Sequence, residues 1–299
     1  VETLSRESGI IYDFNKQHKP VKTVASGTTI EIETYDCFQN QIQSSDTVIA
    51  EMDWNQINPA TGPIYVEGAK PGDVLKVNIE KIELENQGVM MVGPKLGVLG
   101  HRITDMEVKI VPIQDDKAMF NDIAIPLNPM IGVIGVAPAG EGVNCGTPGE
   151  HGGNMDNKMV AEGATLYFPV FTEGALFGLG DMHAAMGDGE ISVSGIEIPG
   201  KATVTLEVLK GVSLQHPMLE NDEVFTQIVS AKTLDEACSI ATEEMIDRIV
   251  EKSGLPLSDV TMLMSATGQT EICQMVDPLM TARFVVPKWL LKQLNINLI

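Results

Sequence analysis

The sequence predicts a mainly β fold, a β-sandwich of jelly-roll type, followed by a C-terminal α+β segment built on one long helix. Three observations carry this. Short stretches of alternating apolar and polar side chains recur along the chain, the period of a half-buried strand. Gly and Pro, 28 and 16 of the 299 residues, interrupt them in stretches such as NPATGP, AKPGD, GVAPAGEG and TPGEHGG. Only one stretch has strong helical spacing, and it lies late in the chain. Many short strands between frequent turns bury their apolar faces by packing sheet on sheet.

The elements follow in order. TTIEIETYD (28–36) alternates and reads as a strand. DVLKVNIEKIEL (73–84) reads as another, with Val74, Leu75, Val77, Ile79 and Ile82 on its buried face. TLYFPVF (165–171) and GALFGLG (174–180) are strand-like runs. EISVSGIEI (190–198) and KATVTLEVLKG (201–211) alternate again, with Pro199-Gly200 as the turn between them. TLDEACSIATEEMIDRIVEKSG is the helix. Thr233 is its N-cap and Gly254 its end, with Leu234, Ala237, Ile240, Ala241, Met245, Ile246 and Ile249 at helical spacing and acids in the first turn. VTMLMSATG (260–268) reads as a buried strand. VPKWLLKQL (286–294) reads as a short helix with Pro287 near its start. Residues 1–230 then form a core that carries any site, and residues 231–299 a helix–strand–helix segment packed on it.

Composition narrows the function. The net charge is -21 and the pI about 4.5. Such a surface repels nucleic acid and anionic membranes, so neither is an expected partner. Acidic loops also suit hard cations such as Ca²⁺. Cys37, Cys145, Cys238 and Cys273 are far apart and form no CxxC, which argues against a disulfide framework or zinc ribbon and for a reducing, cytoplasmic compartment. No apolar run reaches membrane-span length and no signal peptide is visible. The exposed edges of a sandwich favour a homo-oligomer.

The chemistry-bearing residues cluster. GDMHAAMGDGE (180–190) holds Asp181, His183, Asp188 and Glu190. If the preceding strand runs on, Asp181 and His183 lie two apart and face the same side, half of a metal site. The alternative is a hairpin with a solvated acidic tip. TPGEHGGNMDN (147–157) holds a second histidine, His151, with Asn154 and Asp156, beside Gly152 and Gly153, whose N–H groups can turn toward an oxyanion. Further along, EMDWNQINPATGPIYVEGAKPGD (51–73) offers Asp53, and DCFQNQI (36–42) places Asp36 beyond a strand end. His18, His101 and His216 read as loop or rim residues. Cys145 stands six residues before His151, so a cysteine nucleophile is an alternative to a metal, although a lone cysteine is commonly a small buried hydrophobe.

The stretches DCFQNQI, GPIYVEGAKPGD, NPMIGVIGVAP, PGEHGGNMD and GDMHAAMGDGE run in this order across most of residues 30–200. Together they resemble the acetamidase/formamidase family. The resemblance implies a β-rich sandwich-like fold, hydrolysis of short aliphatic amides to acid and ammonia, and a metal-associated site. Carried over position by position, it implies roles for Asp36, His151, Asp156, Asp181, His183, Asp188 and Glu190. The chain departs from the family at Met186, where Gln is frequent, and is shorter through its middle; both bear on the preferred substrate.

An unactivated amide needs a strong nucleophile and a proton for the departing nitrogen. A divalent metal lowers the pKa of its water to about 7. Asp181 and His183 are the first expected ligands, with His151, Asp53 and Asp156 next, for zinc, with Ca²⁺ at an additional site. Glu190 is the expected proton carrier, Asp36 the second choice and Asp188 a reserve. Gly152 and Gly153 are the expected oxyanion donors, and Met186 and Trp54 the expected pocket wall around a small amide. A second class of function fits the same residues: a Ca²⁺-stabilised sandwich that binds a carbohydrate or a protein and hydrolyses nothing.

Overall fold

The computed structural model describes residues 1–299 and is mainly β. A nine-stranded sheet runs from Glu2–Leu4 at one edge through Thr28–Thr34, Gly200–Leu209, Val74–Leu84, Thr165–Pro169, Met218–Glu220, Val224–Ala231 and Met280–Pro287 to Gln269–Gln274. A six-stranded sheet has Phe177–His183 at its middle, between Met130–Gly135 and Ala60–Val66, with Gly152–Asn154 outside Met130–Gly135. Gln87–Val92, Glu107–Gln114, Lys117–Phe120 and Ile123–Pro126 form a four-stranded antiparallel sheet.

Alternation explains the first sheet. Ile30 and Ile32 of Thr28–Thr34 are buried, as are Val74, Leu75, Val77, Ile79 and Ile82 of Val74–Leu84, and Ala202, Val204 and Leu206 of Gly200–Leu209. All of these but Val74 meet Ile64, Ile131, Ile134, Phe177 and Leu179 of the six-stranded sheet in one apolar cluster. At about 25 cal/mol per Å² of apolar surface, this shared burial is the main term that holds the two sheets together. The six-stranded sheet is covered on both faces, and every residue of Phe177–His183 is buried.

Helix α1, Leu234–Ser253, begins and ends as its sequence dictates. The Thr233 hydroxyl accepts from Glu236 N–H at 3.2 Å, and Gly254 closes the helix at φ +68°. Ala237, Ala241, Met245 and Ile249 face a second core with Phe225, Val229 and Phe284. Helix α3, Lys288–Leu294, follows Pro287 as expected. The strands after α1 extend the nine-stranded sheet, which passes without a break from Val224–Ala231 to Met280–Pro287. No helix is long and apolar enough to cross a membrane.

Two elements differ from the sequence reading. VTMLMSATG is not a strand: it lies in helix α2, Leu257–Thr267, which starts after Pro256. Val260 and Met264, four apart, are buried, while Met262 between them is 63% exposed, a helical pattern and not an alternating one. EISVSGIEI forms no named strand. Glu190 and Val193 sit at φ +45° and +67°, which breaks an extended run. Its burial does not alternate either: Glu190 and Glu197 are buried along with Ile196 and Ile198, and Ile191 is 58% exposed. Pro199-Gly200 is no hairpin turn, since Gly200 already opens the next strand.

Candidate active site

Phe177–His183 carries the first two site residues through the middle of the six-stranded sheet. Met130 pairs with His183, Ile131 with Met182 and Val133 with Gly180, so the ladder ties down His183 and both chain neighbours of Asp181. Asp181 takes φ +56°, an irregularity within the strand. Both side chains are nonetheless turned to one place: His183 Nε2 lies 3.4 Å from Asp181 Oδ1. Neither is a solvated hairpin tip, since both are buried.

His183 Nε2 is the hub of a larger group. Glu197 Oε2 lies 3.1 Å from it, Asp156 Oδ1 3.8 Å and Glu190 Oε1 4.0 Å. Asp156 arrives on the segment after Gly152–Asn154, which pairs with Met130–Gly135. Glu197 is placed by backbone bonds with Val89 at 2.8 and 2.9 Å, and its Oε1 accepts from Gly195 N–H at 2.8 Å. Two glycines make room. A Cβ on Gly132 would stand 2.5 Å from both Asp156 Oδ1 and Asp181 Oδ2, and a Cβ on Gly195 would stand 2.6 Å from His183 Nδ1. Asp156, Asp181 and Glu190 all hold positive φ, a left-handed backbone that costs on the order of 1–3 kcal/mol each and gathers at functional sites.

The electrostatics are those of crowded carboxylates out of water. Burial, then the charges of Asp277 and Asp181, hold Asp156 well above the usual carboxylate range. Burial and the Asp156 charge do the same to Glu190, and burial pushes Glu197 up to about 8. Burial opposes the charge on His183, but Glu197 and Asp181 outweigh it and raise its pKa. Burial likewise opposes the Asp181 charge; the His183 imidazolium overcomes it and lowers that pKa. Both oxygens of Asp156, Asp181 Oδ1, Glu197 Oε2 and both nitrogens of His183 are buried without a hydrogen-bond partner. Such atoms are costly unless something pairs with them.

Those atoms have the spacing of metal ligands. Asp156, His183 and Glu190 offer ligand atoms within 4.8 Å of one another, and so do Cys37, Asp181 and Glu197. Oxygen and nitrogen ligands at zinc distances of 2.0–2.2 Å stand about 3.4 Å apart in a tetrahedral site. The separations around His183 Nε2 bracket that value, and the donor set fits a divalent cation.

Above the cluster is a cavity of about 190 Å³. Asp181, Glu190, Glu197, Asp277 and Asn154 form its polar side, and Phe38, Trp54, Ile57, Met91, Leu96 and Val193 its apolar side. Asp277 accepts from Asn154 Nδ2 at 3.0 Å, which brings a residue of the C-terminal segment into the site.

The other expected residues are placed elsewhere. His151 is buried edge-on against Phe14, at a centroid distance of 5.4 Å, and burial alone lowers it to about 4. It belongs to neither ligand group. Asp53 is exposed and caps the Trp54–Gln56 turn, accepting from Asn55 N–H at 3.0 Å. Asp36 is buried and raised to about 6 by burial, but its Oδ1 accepts from Phe38 and Asn40 N–H at 3.0 and 2.7 Å, so it shapes the turn below the cavity. Asp188 is held by Arg283 and Lys158. The Gly152 N–H donates to the Gly149 carbonyl at 3.1 Å and is not free for an oxyanion, and Gly152 and Gly153 both lie in a paired strand. Trp54 lines the cavity; Met186 lines a separate groove of about 510 Å³ that touches Glu190. Cys145 is buried among Ile11, Phe14, Ala60 and Val133, and burial raises its pKa, the opposite of an activated nucleophile.

Sequence reasoning missed Glu197, Asp277, Cys37 and Gly132. Glu197 sits in a stretch whose alternation placed it toward solvent. Cys37 adjoins Asp36 in DCFQNQI, and that adjacency is its only sequence signal. Asp277, in MVDPLM, has none.

The chain is similar to known proteins over nearly all its length. A crystal structure of a predicted acetamidase/formamidase from Thermoanaerobacter tengcongensis is 51% identical, covers 99% of this chain and 98% of that one, and superposes with a TM-score of 0.97. The acetamidase from Bacillus halodurans is 43% identical over 98% of this chain and 100% of its own, with a TM-score of 0.96. The acetamidase of Mycolicibacterium smegmatis is 28% identical over 258 residues, 63% of each chain. The chain spans 63–65% of the length of the curated relatives it matches. The model of the acetamidase/formamidase family matches residues 11–145 and 139–277, well into the C-terminal third, and on that match the chain belongs to the acetamidase/formamidase family.

Proposed function

We propose that this protein hydrolyses short aliphatic amides, formamide and acetamide, to the carboxylic acid and ammonia, with a divalent metal, zinc, held at the His183 centre. One observation carries the reading: buried, unpartnered ligand atoms converge on His183, and two of the residues that bring them, Asp181 and Glu197, line a small cavity whose lining is half apolar. The relatives' names support it. The mainly β fold, with strands of two sheets sharing one apolar cluster, supplies the rigid support.

His183, Asp181, Asp156 and Glu197 would hold the ion. When bound, it supplies Lewis acidity and a water acidic enough to react at neutral pH. The chain's own residues do the rest. Glu190 faces both His183 and the cavity. A carboxyl that keeps its proton through burial has one to give to the departing nitrogen, and takes one up once it has lost it. Phe38, Met91, Leu96 and Val193 present no polar group to the substrate's alkyl end, so they favour a short apolar acyl group and displace water from it. The four free cysteines fit a reducing cytoplasmic compartment.

Ammonia release over a panel of short amides, paired with metal analysis of the same sample, tests the reading. Metal-loaded protein that binds its ion and releases no ammonia from any amide would support the Ca²⁺-stabilised binding module instead.

A further inference from the structure

We propose that Arg283 is a positioning residue of this site: its guanidinium clamps together the two segments that present Asp156 and Glu190 across His183. The inference rests on the reading of the His183 centre as the active site. Arg283 lies on Met280–Pro287 and is 1% exposed. All three of its nitrogens donate hydrogen bonds. Nη1 donates to Asn157 Oδ1 at 2.9 Å and to Asp188 Oδ1 at 3.0 Å. Nη2 donates to Asp188 Oδ2 at 2.7 Å and lies 2.7 Å from Glu271 Oε2, and Nε donates to the same Glu271 oxygen at 2.8 Å.

The positions of these partners make the case. Asn157 follows Asp156 directly, and Asp188 stands two residues before Glu190. Asp156 and Glu190 are the members of one ligand group that come from loops, whereas His183 is fixed in a strand. Lys158 adds a second tie between the same two segments, 2.9 Å from Asp188 Oδ2. The backbone is stitched as well: Gly189 N–H donates to the Cys273 carbonyl at 2.8 Å, and Met275 N–H to the Gly189 carbonyl at 3.2 Å. Asp156 and Glu190 both hold positive φ, so neither loop rests in a conformation its own backbone prefers. A planar, bidentate guanidinium in a buried site fixes both distance and angle; a lysine would keep the charge and lose the fork. The clamp uses Asp188 as a support and not as a catalyst.

The test compares Arg283→Lys and Asp188→Asn with Met245→Ala, which destabilises the C-terminal core on α1 without touching the clamp. Amide hydrogen exchange over 154–158 and 186–191 reads the clamp directly, with or without metal. Both clamp variants should speed exchange there by roughly tenfold or more. They should weaken zinc binding and lower kcat by roughly 10–100-fold, the usual cost of losing an outer-shell partner, with KM changed by less than about threefold. Arg283→Lys should retain more activity than Arg283→Met. If Arg283→Lys does not fold, Asp188→Asn, a near-isosteric change on a side chain that is 29% exposed, carries the test alone. Exchange, zinc affinity and kcat that match Met245→Ala in the folded clamp variants would overturn the proposal. Wild-type protein with no amidase activity would instead remove the proposed function, and the exchange measurement would still decide the clamp.

Discussion

Gly132 has no chemistry of its own, yet two carboxylates meet over it. A methyl there would press on Asp156 Oδ1 and Asp181 Oδ2 at once, with no flexible end to give way, because both are buried ligand candidates. Gly132→Ala should therefore lower stability by about 1–3 kcal/mol and reduce bound metal and turnover together; calorimetry and metal analysis check it. His183→Ala should remove bound metal and activity without disturbing the apolar cluster. His151 makes the opposite kind of prediction. Its folded pKa, near 4, lies below the ordinary 6.5. The unfolded chain then binds the proton that the folded one refuses, so stability is fully present above pH 6.5 and falls as pH drops toward 4. The loss is about 3 kcal/mol at most. A urea-denaturation series from pH 7 to 4 reads the slope, which His151→Gln should flatten. Asp181, His183, Asp156 and Glu190 were legible in the sequence because they sit within two short His–acid motifs. Glu197 was not, because the alternation of its stretch turns it toward solvent, and Asp277 was not, because only the fold brings that distant position to Asn154 and the cavity.

Elements with strong local signals formed where local physics put them. The α1 boundaries follow from Thr233 and Gly254, and removing the cap in Thr233→Ala should cost about 1 kcal/mol with kcat unchanged, read by thermal melting and ammonia release. Where local pattern and tertiary demand conflict, the pattern fails. EISVSGIEI alternates like a strand, but the site draws Glu190 and Glu197 inward beside the buried Ile196 and Ile198 and leaves Ile191 outside, so burial does not follow the alternation. VTMLMSATG is apolar enough to read as a buried strand. Length and the preceding Pro256 were the signals that favour the helix it forms, with Val260 and Met264 as its buried pair.

Across the molecule the net charge is -21, and several of the chain's carboxylates are buried together at the site. Burial and neighbouring carboxylates raise the pKa values of Asp156, Glu190 and Glu197, so these carboxyls hold on to protons, while Asp181 beside His183 is lowered. A cation must displace those protons, so its affinity should rise with pH up to about 8, where Glu197 ionises, and binding should release protons. Calorimetric titration in two buffers of different ionisation enthalpy measures the release. Metal binding should also raise the melting temperature, since the unfolded chain has no such cluster. The central claim is that the His183 centre hydrolyses amides through a bound divalent metal. It is tested most directly by titrating zinc into chelator-stripped protein and following ammonia release from acetamide. Activity absent in the stripped protein and rising in proportion to bound metal is the predicted result. Full activity in protein shown to be metal-free would contradict it.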